Sequence, residues 1–196
     1  MKTYYNDTMK DKMFTTKRLV LMCGVPGSGK STLAKFLATR MNVLFTDTVY
    51  ISRDDIRFSI VAEDEPYFLR ENEVFDEFVR RIKNNLDRNV TVFADATHLN
   101  RGSRTKLLRA LGDSLKNTAV EVCVLDVPLD YAIDNNEKRK GTRAYVPIKT
   151  IKNMCENFKI PEFNEGFDAI NIYYVNDLNM ATWKAAMIDE VMKKDE

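Results

Sequence analysis

Apolar and polar positions along this chain change period several times, and the changes mark out its elements. Arg18-Leu19-Val20-Leu21-Met22-Cys23 is a short continuous apolar run of strand length. From Ser31 to Met41 the apolar residues Leu33, Phe36, Leu37 and Met41 recur at helical spacing. A second strand with a turn in it is predicted over Asn42 to Ile51, followed by a helix from Ser52 to Val61 that carries Ile56 and Ile60 four apart. Between Tyr67 and Leu86, the residues Phe75, Phe78, Val79, Ile82 and Leu86 trace one face of a longer helix, with Arg80, Arg81 and Lys83 largely elsewhere.

The alternation continues to the end of the chain. Asn89–Asp95 and Ala119–Asp126 read as buried strands, the second stopping at Pro128, where a ladder donor is lost. Arg101–Leu111 and Tyr131–Lys140 read as helices, with Gly141 as a possible stop for the latter. Pro147 suits the first turn of a helix reaching Phe158, and Pro161 to Phe167 reads as loop. Ala169–Val175 is the last predicted strand, and Leu178–Met192 a closing helix with Met180, Trp183, Met187 and Val191 inward. Strand and helix in turn predict an α/β fold, a five-stranded, mostly parallel sheet with helices on both faces. A single domain over residues 17–196 is expected, behind a flexible polar arm over residues 1–16.

Composition narrows the classes. Thirty basic and 29 acidic residues leave a net charge of +1, so any nucleic-acid binding must come from local clusters rather than from the whole surface. Such clusters stand at Arg101–Arg109 and Lys138–Arg143, which favours a short or single-stranded polymer over long duplex. Cys23, Cys123 and Cys155 are far apart and His98 is the single histidine, so neither a disulfide framework nor a zinc site is indicated. With no secretory signal and no apolar run of membrane-spanning length, a soluble cytoplasmic protein without membrane partners is expected.

The chemistry is concentrated where the first strand gives way to the first helix. Gly24-Val25-Pro26-Gly27-Ser28-Gly29-Lys30-Ser31-Thr32 fits G-x-x-x-x-G-K-[ST] between a strand and a helix, the context in which this pattern cradles phosphates. Backbone N–H groups across Gly27, Ser28, Gly29, Lys30, Ser31 and Thr32 would face phosphate, Lys30 would reach the β/γ oxygens, and the Ser31 hydroxyl would ligate Mg²⁺. ATP or another nucleoside triphosphate is the implied ligand, and G-x-G-x-x-G is absent, which sets a dinucleotide-binding dehydrogenase aside.

Ligands of such sheets bind beyond the carboxyl ends of the strands, where three more polar segments fall. In Ser52-Arg53-Asp54-Asp55-Ile56-Arg57, Ser52 fits an N-cap and Asp55 its reciprocal partner, leaving Asp54 as the freer carboxylate and Arg57 on its side of the helix. Asp54 could accept a proton from an acceptor hydroxyl while Arg57 holds an acceptor phosphate, or both acids could simply favour a helix N-terminus. Asp95 ends a strand and opens Asp95-Ala96-Thr97-His98-Leu99-Asn100. It could order the metal's water shell or merely cap a turn, and His98 is expected in the acceptor cleft. Lys138-Arg139-Lys140-Gly141-Thr142-Arg143 is expected to form a basic lid over the phosphates.

Taken together, G-V-P-G-S-G-K-S-T, R-D-D-I-R at Arg53–Arg57, D-A-T-H-L-N at Asp95–Asn100, D-V-P at Asp126–Pro128 and R-K-G-T-R-A-Y-V-P at Arg139–Pro147 resemble the bacteriophage polynucleotide 5′-hydroxyl kinases, within the P-loop kinases. The resemblance spans about residues 18 to 160. It implies the P-loop kinase fold, ATP and Mg²⁺ as cofactors, and a nucleic acid with a 5′-hydroxyl end as partner. By the same resemblance Asp54 is the general base, Arg57 contacts the acceptor phosphate, Asp95, Thr97 and His98 belong to the acceptor side, and a lid arginine grips the migrating phosphoryl. That arginine falls on Arg139, with Lys140 and Arg143 left open and Arg143 grouped with the nucleotide contacts. The D-x-D-x-[TV] motif of the phosphatase domain found in some of these enzymes is missing, so only a kinase half is expected. A kinase of nucleosides, other small hydroxyl compounds or structured RNA, and a nucleotide-hydrolysing switch, are the rival functions.

Overall fold

The computed structural model describes residues 1–7, 12, 17–44 and 47–174. In chain order these form β1 (Lys2–Tyr5), β2 (Arg18–Cys23), α1 (Lys30–Leu44), β3 (Thr48–Ser52), α2 (Arg53–Ile60), α3 (Glu71–Leu86), β4 (Thr91–Asp95), α4 (Arg101–Leu111), β5 (Ala119–Asp126), α5 (Leu129–Glu137), α6 (Ile148–Glu156) and β6 (Ala169–Tyr174), with 3₁₀ turns at Gly112–Leu115 and Phe163–Glu165. The sheet runs β1-β6-β5-β2-β4-β3. All neighbours pair in parallel except β1, which runs antiparallel to β6 with Lys2 opposite Ile172 and Tyr5 opposite Ala169.

β2 shows why the sheet needs cover on both sides. Alternate residues of a strand face opposite ways. Leu19, Leu21 and Cys23 join a core with α2, α3 and α4, whereas Val20 and Met22 pack with Leu33, Ala34 and Ala38 of α1. All five are essentially buried, and each full-sized aliphatic side chain so placed contributes about 1.5–3 kcal/mol. The sheet therefore carries helices on both faces, as the sequence pattern implies.

Several boundaries differ from the periodicity, each for a local reason. The sheet has six strands because Lys2–Tyr5, inside the segment expected to be a flexible arm, pairs along the free edge of β6. α1 runs on to Leu44; among the described residues the predicted second strand, Asn42–Ile51, pairs from Thr48 opposite Thr91, and the pairing runs one residue past it to Ser52 opposite Asp95. The long helix begins at Glu71 rather than Tyr67, since Pro66 heads a turn closed by the Leu69 N–H donating to the Pro66 carbonyl at 2.9 Å. α5 ends at Glu137, before the basic run, and Pro147 caps α6 from outside its first turn. The predicted closing helix, Leu178–Met192, lies outside the described residues. Among the described residues no helix is long and apolar enough to cross a membrane.

Candidate functional site

The P-loop leaves the end of β2 and turns into α1 through a backbone that side chains would block. Gly27 has φ +81°, and a Cβ there would lie 2.1 Å from the carbonyl oxygen of Ala132 in α5. That contact fixes α5 against the loop, and Asn135 Nδ2 adds a bond to the Gly27 carbonyl at 3.1 Å. The first turn of α1 carries no acid, so the positive end of a 15-residue helix is left open toward the cleft.

Around this loop lies a cleft of about 670 Å³. Its lining includes Gly27, Gly29, Lys30, Ser31 and Thr32 from the P-loop, Asp54 and Arg57 from α2, Asp95 and Thr97 after β4, and Arg139 and Arg143 from the segment joining α5 to α6. Four segments far apart in sequence thus meet at the carboxyl ends of β2, β3 and β4.

Lys30 is buried, and its Nζ donates to the Val25 carbonyl at 2.8 Å. Burial pushes its pKa down, the charges of Asp95 and Asp54 oppose that shift, and Arg139 adds to it. These four charged groups therefore share one electrostatic environment. Asp95 is buried and accepts a 2.6 Å bond on Oδ2 from the Tyr50 hydroxyl. Burial, then the Asp95 charge, drives the Tyr50 phenol well above its ordinary pKa, so it stays a donor. Tyr50 and Ser52 lie on one side of β3, and Ser52 is in register with Asp95, which is how the strand delivers this support.

At the tip of β3, Ser52 caps α2 by accepting the Asp55 N–H at 3.1 Å, leaving the Asp55 side chain in solvent. One turn of helix then holds Asp54 and Arg57 together. Arg57 Nη1 donates to Asp54 Oδ1 at 2.5 Å and the Tyr67 hydroxyl donates to the same oxygen at 2.8 Å. Asp54 Oδ2 has no hydrogen-bond partner among the described residues, and the side chain is 61% exposed. Burial first, then Asp54, pushes the Tyr67 phenol up to about 12.

The lid closes on itself at Asn136, whose side chain accepts the Val146 N–H at 3.0 Å and donates to the Val146 carbonyl at 2.7 Å. Arg143 reaches across to α2, donating to the carbonyls of Val61 at 2.8 Å, Ala62 at 3.3 Å and Phe58 at 3.4 Å. Among the described residues the Arg139 side chain is tied only at 3.4 Å to Asn136 Oδ1, with its buried Nε unpartnered. Lys140 is exposed and pairs with Glu137 at 3.7 Å, away from the cleft lining.

Ser28 is buried within the loop, with its Oγ unpartnered among the described residues, and one expected residue is placed elsewhere. His98 does not line the cleft: it is buried with φ +44°, its ring 6.4 Å from Phe78, and burial followed by the charges of Arg53 and Arg104 holds its pKa down to about 3. Packing against α3 turns this side chain inward, contrary to the place in the acceptor cleft expected from its strand-end position. Residues the sequence reading passed over matter as much. Tyr50, Tyr67 and Glu71 hold Asp95, Asp54 and Arg57, and Arg104, with its side chain wholly buried, donates to the His98 carbonyl at 3.0 Å and the Lys159 carbonyl at 2.9 Å. Tyr50 had a sequence signal in its two-residue offset from Ser52, and Arg104 stood in the Arg101–Arg109 cluster expected to track a polymer backbone, from which its burial against Glu165 removes it.

Nucleotide and Mg²⁺ suit this donor set. The open helix end, the loop amides and Lys30 match a polyphosphate, and the Ser31 hydroxyl and the Asp95 carboxylate, which line the same cleft, are hard oxygen ligands of the kind Mg²⁺ takes along with substrate phosphates.

Comparison with known proteins agrees with the architecture. A family model described as an AAA domain matches residues 19–161. The L-seryl-tRNA(Sec) kinase of Methanococcus maripaludis is 28% identical over 159 residues, 79% of this chain and 57% of that protein, so the chain spans little more than half of that relative's length. Kti12 of Chaetomium thermophilum in complex with ADP-AlF3 superposes with a TM-score of 0.61 at 19% identity, covering 89% of this chain and 97% of that one. A chain of the Pnkp1/Rnl/Hen1 RNA repair complex gives a TM-score of 0.56 at 20% identity, covering 79% of this chain and 48% of that one. At these identities the two structural likenesses concern the fold. The span of the family match makes this chain a member of the AAA domain family, built on the P-loop kinase fold with a six-stranded, mostly parallel sheet.

Proposed function

We propose that the protein transfers the γ-phosphoryl group of ATP, with Mg²⁺, to the 5′-hydroxyl of a nucleic acid. The observation that carries this reading is the carboxylate of Asp54, with Oδ2 open, in the same cleft as the P-loop lysine. Lys30, released from the Val25 carbonyl, would hold the β/γ oxygens. Ser31, with Asp95 behind it, would hold Mg²⁺, which supplies charge neutralisation at those oxygens. Asp54 Oδ2 takes the proton of the acceptor hydroxyl as its oxygen bonds to the γ-phosphorus; the bond from that phosphorus to the bridging oxygen breaks and ADP leaves. Arg139, the lid guanidinium with the fewest ties, would face the charge spread over the migrating group.

Incubation with γ-labelled ATP and separate 5′-hydroxyl DNA, 5′-hydroxyl RNA, nucleosides and seryl-tRNA tests the reading. Label in the oligonucleotides is expected. A second acceptor, a hydroxyl on a structured RNA, is favoured by the 28% identity to a protein named L-seryl-tRNA(Sec) kinase. Label in seryl-tRNA alone would replace the 5′ end by that acceptor, label in nucleosides alone would make this a small-molecule kinase, and free phosphate alone would make it a switch.

A further inference from the structure

Arg57 is poorly available to a phosphate. Nη1 donates to Asp54 and, at 3.0 Å, to the Tyr67 hydroxyl; Nη2 donates to Glu71 Oε2 at 2.7 Å; and Nε is buried. The guanidinium lies 4.5 Å from the centroid of the Tyr67 ring and 5.6 Å from that of Phe68, and the side chain is 5% exposed. With three of its five N–H donors committed, its Nε buried and rings against it, this guanidinium has little left to offer an incoming anion.

Beside it stands a group with the opposite character. Phe68 lines the cleft yet is 66% exposed. Its ring meets Tyr67 edge to face at 4.8 Å, and Tyr67 meets Phe58 likewise at 6.3 Å, with the Arg143 guanidinium 4.8 Å from the Phe58 centroid. The chain of rings orders Phe68 without covering it. Tyr67 also touches Asp54, so Phe68 is one residue removed from the proposed base. An ordered, uncovered ring at that remove from a proton acceptor fits a planar partner attached to the reacting hydroxyl through a single sugar.

We infer that Phe68, held by Tyr67, is the stacking platform for the base of the acceptor's terminal nucleotide, and that acceptor recognition runs through ring stacking rather than a phosphate on Arg57. The inference rests on the proposed transfer to a nucleic-acid hydroxyl and deepens it. Single-strand binders that stack bases on aromatic side chains tolerate many sequences, because every base has a π-face. The platform therefore selects for a base and is indifferent to which one.

The test uses two 5′-hydroxyl oligonucleotides, one with 2-aminopurine at the terminal position and one abasic there. Wild type should quench the 2-aminopurine fluorescence on binding. Phe68→Ala should weaken that binding and raise the acceptor KM by about tenfold with kcat little changed, while Phe68→Trp restores both. For the abasic strand, wild type and Phe68→Ala should bind alike. Absence of quenching by wild type, an unchanged KM in Phe68→Ala, or an equal loss on the abasic strand would overturn the platform. Phe68-dependent quenching with no phosphate transferred to any strand would reject the transfer reading and leave the stacking site standing.

Discussion

Asp54 has two donors on one carboxylate oxygen, and this governs what it can do. Arg57 and Tyr67 both donate to Oδ1, which leaves Oδ2 for an acceptor hydroxyl. Asp54→Asn keeps the shape and removes the basicity. Transfer should fall by about 10²- to 10⁴-fold, while nucleotide binding, followed by the rise in melting temperature that ATP causes, stays near wild type. A variant that still turned over normally would move the base elsewhere. Gly27 makes the complementary case for the phosphate side. Alanine there meets a left-handed φ, which alone costs about 1–2 kcal/mol, and collides with the Ala132 backbone. Gly27→Ala should lower the melting temperature and abolish its further rise with ATP; retention of that rise would mean that the loop and α5 separate easily.

Two arginines of the lid differ in what holds them, and the difference assigns them different work. Arg143 donates to carbonyls at the C-terminal end of α2, where unpaired acceptors and the negative end of the helix dipole collect, and so ties the lid to the helix that carries Asp54. Arg139 has no comparable anchor. Arg139→Ala should lower kcat by on the order of 10²- to 10³-fold with modest change in KM, the pattern of a lost transition-state contact. Arg143→Ala should instead raise KM for both substrates and lower the melting temperature; steady-state kinetics with the two variants side by side would expose a reversal of these roles. The family resemblance put the phosphoryl contact on Arg139 and grouped Arg143 with the nucleotide, but the tie of Arg143 to α2 was not legible, because the carbonyls that bind it belong to Phe58, Val61 and Ala62, about 80 residues earlier. Glu71 and Tyr67 escaped notice for the same reason. Their spacing is that of a helix start, and their significance appears only when the Pro66 turn folds them over Arg57.

At the scale of the whole molecule, the continuous apolar run of β2 and the recurring strand and helix periods were enough to anticipate a two-faced parallel sheet. β1 was not legible, since Lys2-Thr3-Tyr4-Tyr5 is half polar and owes its strand to the edge of β6, far away in sequence. Nor was the device that joins the β4 loop to the far end of the chain. Arg104 and Glu165 form a two-bond ion pair at 2.7 Å, with side chains 0% and 1% exposed, and Arg104 also binds the His98 and Lys159 carbonyls. The pair therefore holds the segment leading away from Asp95. Burial pushes the Glu165 carboxyl up, but the Arg104 bonds and the Glu162 N–H at 3.0 Å outweigh it, leaving the pKa below its ordinary 4.5. A depressed carboxylate pKa stabilises the fold above the unfolded value and loses that contribution as pH falls through the folded one. Wild-type stability should thus decline as pH drops below about 4.5. Glu165→Ala strands a buried guanidinium and should cost about 3–5 kcal/mol at neutral pH. Glu165→Gln retains acceptor oxygen without charge, so it should lose less and show a shallower decline on acidification. Urea denaturation of the three proteins from about pH 3 to 7 measures both effects, and parallel pH curves for wild type and Glu165→Gln would show that the acid sensitivity arises at other carboxylates.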